Sequence, residues 1–164
     1  MGLEVTAFNR LTRVRDYDPN TDRGNNETIL WVDEYPEQAD RLISGVYRIN
    51  GDSMSFWTGS YSKYRWWRNH LCRMAHGCEC ETFLETCSDE DAPEAFRELI
   101  NIWNCRTTIG PITSLKLFGD FEAFMSRIDD YADIMLTGAD WRKICLQFRG
   151  ALKFAAEGGA VKFC

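Results

Sequence analysis

The 164-residue chain has no long hydrophobic run: its longest stretch without a charged residue, Ser53 to Ser62, is ten residues. A membrane-crossing helix needs about twice that, so no transmembrane span is expected. The N-terminus, Met1-Gly2-Leu3-Glu4-Val5, has neither the basic segment nor the apolar core of a secretory signal. A cytoplasmic location is the expectation. Proline is sparse, with only Pro19, Pro36, Pro93 and Pro111, and there is no repeat or low-complexity segment. Nothing reads as a linker, so residues 1–164 are taken as one domain. Positive charge is also in deficit. Nineteen Lys and Arg against twenty-five Asp and Glu give a net charge of −6, which repels a nucleic-acid backbone and makes DNA or RNA an unsuitable partner.

Catalytic signatures are missing as well. There is no Gly-x-Ser-x-Gly elbow, no phosphate loop ending in Lys-Ser/Thr and no His-Glu-x-x-His. Cys105 is the remaining candidate nucleophile, and nothing in the sequence brings either histidine to it. No cofactor is expected.

Cysteine, by contrast, is plentiful: seven residues, an odd number, in a chain without an export signal. Most are therefore expected to be free thiols. His70, Cys72, His76, Cys78, Cys80 and Cys87 fall in one eighteen-residue window and invite a zinc reading. Their spacing matches no pair of zinc knuckles, so small buried thiols are the better account and no metal site is expected. Charge is unevenly distributed through the same region. No acid occurs between Asp52 and Glu79, where Lys63, Arg65, Arg68 and Arg73 lie, and eight acids follow from Glu79 to Glu98. A basic helix followed by an acidic loop is expected, both readable as solvated faces.

Strand signals come first along the chain. Leu3–Ala7 alternates with period two, and Glu27–Val32 is apolar and partly β-branched, with a polar surface loop expected over Arg15–Asn26. Val46–Ile49 and Met54–Trp57 flank Asn50-Gly51-Asp52-Ser53, which predicts a hairpin. Helical periods follow. Ser60 or Ser62 caps a helix whose core stripe is Tyr64, Trp67, Leu71, Met74 and Ala75. A second helix opens at Ala92-Pro93 and runs to about Ile102. A third opens at Gly110-Pro111, with Leu115, Phe118, Phe121, Met125 and Ile128 facing inward. The fourth runs from about Ala139 to Glu157, stops at Gly158-Gly159 and is followed by a short strand over Ala160–Phe163. Strands first and helices later predict an α+β fold, a small antiparallel sheet of three or four strands covered by about four helices.

Phe56 to Arg68 places six aromatic residues at a strand-to-helix transition. A helix start offers unpaired N–H groups, and Gly59 permits close approach to the backbone. Ser60 and Ser62, with Arg65 or Arg68, would complete an anion site, and aromatic faces beside it suit a flat ring. Tyr64 and Trp67 belong to the core stripe, whereas Tyr61, Arg65, Trp66 and Arg68 lie off it and are the contact candidates. A second polar segment, Trp103-Asn104-Cys105-Arg106-Thr107-Thr108-Ile109-Gly110-Pro111, also ends at a helix start and adds Asn104 and Arg106 to the candidate set.

Three motifs carry a resemblance: Gly59-Ser60-Tyr61-Ser62-x-Tyr64-x-x-Trp67-Arg68, Cys105-x-x-x-Ile109-Gly110-Pro111, and Ala155-Ala156-Glu157-Gly158-Gly159-Ala160-Val161-x-Phe163. Together they resemble a family of small, uncharacterised proteins encoded by phages and prophages, over most of the chain. The family's middle motif reads Ser-Asp-Cys-Glu-Gly-x-Ile-Gly-Pro. Here Asn104 and Arg106 stand where that motif has its two carboxylates and Thr107 where it has a glycine, so any role of those carboxylates is changed or lost. The resemblance implies a phage origin and no particular activity.

The expected function is non-enzymatic: holding a small anionic, nucleotide-like molecule at the Gly59–Arg68 helix start, as in sequestering a host defence signal. A protein–protein inhibitor that sets its acidic 79–98 segment against a host defence enzyme is the competing reading. A small hydrolase is third.

Overall fold

The computed structural model describes residues 2–14, 26–86, 94–103 and 106–164. Seven strands and five helices are found among them. They run β1 (Gly2–Phe8), β2 (Leu11–Arg13), β3 (Glu27–Leu30), a short 3-10 turn (Pro36–Ala39), β4 (Gly45–Ile49), β5 (Ser53–Ser60), α1 (Tyr61–His76), α2 (Cys80–Thr86), α3 (Arg97–Asn101), β6 (Thr107–Ile109), α4 (Pro111–Ile134), α5 (Gly138–Ala155) and β7 (Ala160–Phe163). The fold is α+β. Its strands form two antiparallel sheets, one in the order β5-β1-β7-β6 and one in the order β2-β4-β3. Among the described residues no helix is long and apolar enough to cross a membrane.

The Asn50-Gly51 hairpin is not formed: β4 and β5 belong to different sheets and do not pair. Instead β4–β5 runs antiparallel alongside β1–β2, with Leu11 opposite Ile49 and Phe8 opposite Ser53. This two-stranded ribbon bends from one sheet into the other where Asn50–Asp52 crosses Asn9–Arg10. Buried Asn9 accepts the Asp52 N–H through its side-chain oxygen at 2.9 Å, and the Asn50 N–H donates to the Arg10 carbonyl at 3.1 Å. A Cβ on Gly51 would sit 1.9 Å from Asn9 Oδ1, so the glycine answers a close crossing rather than a hairpin turn. β7, at the centre of the larger sheet, shows the same economy. A Cβ on Gly159 would lie 1.6 Å from the Phe8 carbonyl oxygen.

The core lies between the larger sheet and the helices. Leu3, Val5 and Ala7 of β1 meet Tyr64, Trp67 and Leu71 of α1 and the apolar face of α5. Trp67 stacks on Phe148 with centroids 4.5 Å apart, and each of two indoles finds a polar partner: Trp67 Nε1 donates to Cys145 Sγ and Trp141 Nε1 to the Trp67 carbonyl. On α4 the buried residues are Ser114, Leu117, Phe121, Ile128 and Ala132; the expected Phe121 and Ile128 are among them, and the expected Phe118 and Met125 are partly buried against the core. Leu115 alone of the expected stripe is exposed, and Ser114 and Leu117 on either side of it are buried instead. α2 forms where only an acidic loop was expected, held by Cys80 and Phe83 in the core. α3 is shorter than expected, and its predicted opening at Ala92-Pro93 lies outside the described residues, as do residues 15–25 of the expected surface loop.

A cavity beside helix α1

α1 starts where β5 ends, on Gly59 at φ +99° and Ser60 as N-cap. Ser60 Oγ accepts the Lys63 N–H at 3.2 Å, which satisfies one of the open donors of the helix start from within. A Cβ on Gly59 would meet the Lys63 side chain at 2.7 Å. The space that glycine frees is thus taken by Lys63, not left for a ligand.

The open site lies farther along the helix. Tyr61, Ser62, Tyr64, Arg65, Arg68 and Trp103 line a cavity of about 270 Å³. Arg68 was expected beside the core stripe; it is in fact only 2% exposed, because the Ile102–Trp103 end of α3 folds over it. One terminal N–H donates to the Ile102 carbonyl at 2.6 Å, and the guanidinium carbon lies 4.0 Å above the centroid of the Trp103 ring. Among the described residues no carboxylate pairs with Arg68, and its Nε is buried without a partner. One turn earlier the Tyr64 hydroxyl is also buried and unpaired. Burial holds its pKa well above the ordinary tyrosine value, with Arg68 opposing, so it is a neutral donor. Burying a cation without a counter-charge is costly, and the two residues that carry these unpaired groups line the same cavity.

A second cavity, of about 290 Å³, wraps the next face of α1 and is lined by Ser62, Arg65, Trp66, Asn69, His70 and Arg73. His70 Nδ1 lies 2.9 Å from the Tyr131 hydroxyl, and the Trp66 and His70 rings meet edge to face at 5.2 Å. Burial and the Arg73 charge lower the His70 pKa, so its imidazole is neutral near pH 7. Arg65 is bonded to Glu81 at 2.9 Å and Arg73 to Glu79, both pairs on the surface.

Tyr61, Ser62, Arg65 and Arg68 are therefore brought together, with Trp66 on the adjoining face. Gly59 and Ser60 serve the chain turn and the cap. Arg106 is elsewhere: its guanidinium lies 5.7 Å from the Trp31 ring, beside Lys162, and its N–H donates to the Phe163 carbonyl. Asn104 and Cys105 lie outside the described residues. The α4 start is closed. Asp40 accepts the Ile112 and Thr113 N–H groups at 2.7 and 3.1 Å and the Thr113 hydroxyl at 2.8 Å, while Gly110 donates to the Gln38 carbonyl at 2.8 Å. Trp103, and the polar role of Tyr64, were missed by sequence reasoning; the one available signal was the Tyr64–Arg68 spacing of four, which puts them on one face.

The thiols and histidines of the cysteine-rich window have other partners. His76 Nε2 lies 2.8 Å from the Ala95 carbonyl and its ring stacks on Phe83. Cys72 and Cys80 are buried free thiols in hydrogen-bond contact with each other, and Cys80 Sγ donates to the Arg68 carbonyl at 3.4 Å. That contact and burial raise the Cys72 pKa; the same bond, helped by Arg68, lowers that of Cys80. Among the described residues no three His, Cys, Asp or Glu side chains are grouped to hold a metal ion. Cys87 lies outside them. Of the acidic segment, Glu79 and Glu81 are tied to Arg73 and Arg65, Glu98 to Lys116 at 2.7 Å, and Glu94 lies 3.6 Å from His76. Asp89–Asp91 are outside the described residues.

No protein-family model, curated protein or solved structure matches the chain.

Proposed function

We propose that this chain is a non-enzymatic binding protein that holds a small, anionic, nucleotide-like molecule in the cavity lined by Tyr61, Ser62, Tyr64, Arg65, Arg68 and Trp103. The observation that carries this reading is Arg68: a buried guanidinium with no carboxylate among the described residues, its Nε and the Tyr64 hydroxyl both unpaired at a cavity. An oxyanion entering there supplies the missing counter-charge and accepts from both donors, and a planar guanidinium grips phosphate or carboxylate better than an ammonium does. Affinity is then the whole activity. The motif resemblance to phage proteins suggests its use: withdrawing a host signal from its receptor.

The alternative of an inhibitor acting through the acidic segment has less support, since of its five described acids Glu79, Glu81 and Glu98 are bonded within the chain and Glu94 lies beside His76, which leaves Glu85 exposed. Isothermal titration with inorganic phosphate and nucleoside phosphates, alongside melting curves, tests the proposal. Binding accompanied by a rise in melting temperature is expected from ligand linkage. Absence of both at millimolar anion would overturn it.

A further inference from the structure

The two cavities on α1 offer different chemistry, and they share a wall. Ser62 and Arg65 line both. In the Arg68 cavity the unpaired buried groups are Arg68 Nε, which only donates, and the Tyr64 hydroxyl, which can donate as well as accept; beside a guanidinium charge the pair suits an oxyanion. The second cavity presents a different set. Its two arginines each stand beside a carboxylate, Glu81 and Glu79, so its charge is balanced where, among the described residues, that of Arg68 is not. What it leaves available is neutral and two-sided: the Asn69 amide, donor and acceptor at once, the Ser62 hydroxyl, the Trp66 indole and a neutral His70 anchored through Tyr131. An amide, an imidazole and an indole face match the edge and face of a heterocycle.

We infer that the ligand has two ends, an oxyanion at Arg68 and Tyr64 and a hydrogen-bonding heterocycle in the cavity of Trp66, Asn69 and His70, which makes it a nucleoside phosphate rather than a simple anion. The inference rests on the anion-binding reading of the Arg68 cavity. Arg65 is the divider between the ends, and its surface pair with Glu81 is weak enough to yield to a ligand crossing over it.

The experiment is titration of the full chain with inorganic phosphate, ribose 5-phosphate and the purine and pyrimidine nucleoside 5′-monophosphates. At least one nucleoside monophosphate is expected to bind about tenfold or more tightly than ribose 5-phosphate, the size of one base stacked on one aromatic ring. Asn69→Ala and Trp66→Leu should each remove that gain while ribose 5-phosphate affinity holds. Asn69 is half-buried and has no side-chain hydrogen-bond partner among the described residues, so Asn69→Ala carries the test if Trp66→Leu proves unstable. Equal binding of ribose 5-phosphate and every nucleoside monophosphate overturns the two-ended ligand and leaves the anion site standing. A preference that survives both substitutions overturns the placement of the ring. Failure of every probe, phosphate included, overturns both readings.

Discussion

Gly59 before α1 and Gly110 before α4 each lead into a helix, and the two starts have opposite fates. At α4, Asp40 reaches across seventy residues of sequence and fills the N-terminus with its own carboxylate. At α1 the start is capped locally by Ser60, and no carboxylate among the described residues comes to the buried guanidinium two turns on. The fold therefore carries its anion at one site and leaves the other cationic group without one. A helix start by itself says little about ligand binding; what decides is whether the tertiary structure has already supplied the charge.

Breaking the closed site should give the largest effect. A Cβ on Gly110 would lie 2.3 Å from Asp40 Oδ2 and 2.5 Å from the Ala39 carbonyl oxygen, and backbone cannot yield cheaply. Gly110→Ala is expected to cost about 3 kcal/mol, combining overpacking with loss of the cap, which lowers the melting temperature by roughly 6–12 °C. Asp40→Ala, which keeps the glycine, should cost about 1–2 kcal/mol. Neither should alter anion binding at Arg68. Melting curves and titrations on the two variants check this, and an anion-binding defect in Asp40→Ala would show that the two starts are not independent.

The open site should respond differently. Arg68→Lys loses the fixed bond to the Ile102 carbonyl and the stacking on Trp103, so a loss of about 1–2 kcal/mol is expected even without ligand. This differs from a residue that merely lines a surface, for which no stability change would follow. The diagnostic is the pairing of effects: the variant melts lower and phosphate no longer raises its melting temperature. If Arg68→Lys melts lower yet is still stabilised by phosphate to the wild-type extent, the guanidinium is structural only.

Much of this architecture was legible because it rests on local periods. α1, α4 and α5 follow from apolar residues at helical spacing, and β1, β3, β4, β5 and β7 from alternating or β-branched runs. β2 and β6 have three residues each, too few to show a period. The division into two sheets could not be read from Asn50-Gly51, since it depends on Asn9, some forty residues earlier in the chain. The site follows the same rule. Tyr61, Ser62, Arg65 and Arg68 share one helix and were found together, whereas Trp103 arrives from the end of α3, and that arrival turned Arg68 from a surface residue into a buried one.

A smaller effect is expected from pH in the second cavity. The His70 pKa is lowered in the folded protein by burial and by Arg73, with Glu79 opposing, and the ring faces Tyr131. The unfolded chain therefore takes up a proton near the ordinary value of 6.5 while the folded chain does not. Stability should fall as pH drops below about 6.5 and level off once the folded form is protonated too. His70→Gln should flatten that part of the profile, which melting curves between pH 5 and 8 would reveal; an unchanged profile would assign the pH dependence to other groups.

The smallest stability effect, and the finest probe of the open site, is Glu81→Gln. Arg65 and Glu81 form a pair whose side chains are 62% and 63% exposed, so its loss should change stability by less than about 0.5 kcal/mol. Binding is another matter, because Arg65 lines both cavities and its charge is partly answered by Glu81. With that carboxylate neutralised, the guanidinium is freer to turn toward a ligand, and anion affinity should rise about two- to fourfold at low salt, a gain that shrinks near 0.15 M salt as screening sets in. Arg65→Gln should move affinity the other way with equally little change in melting temperature. Opposite shifts from the two variants would place Arg65 at the mouth of the site. Identical binding by both would mean that Arg68 and Tyr64 act alone and that Arg65 belongs to the solvated surface.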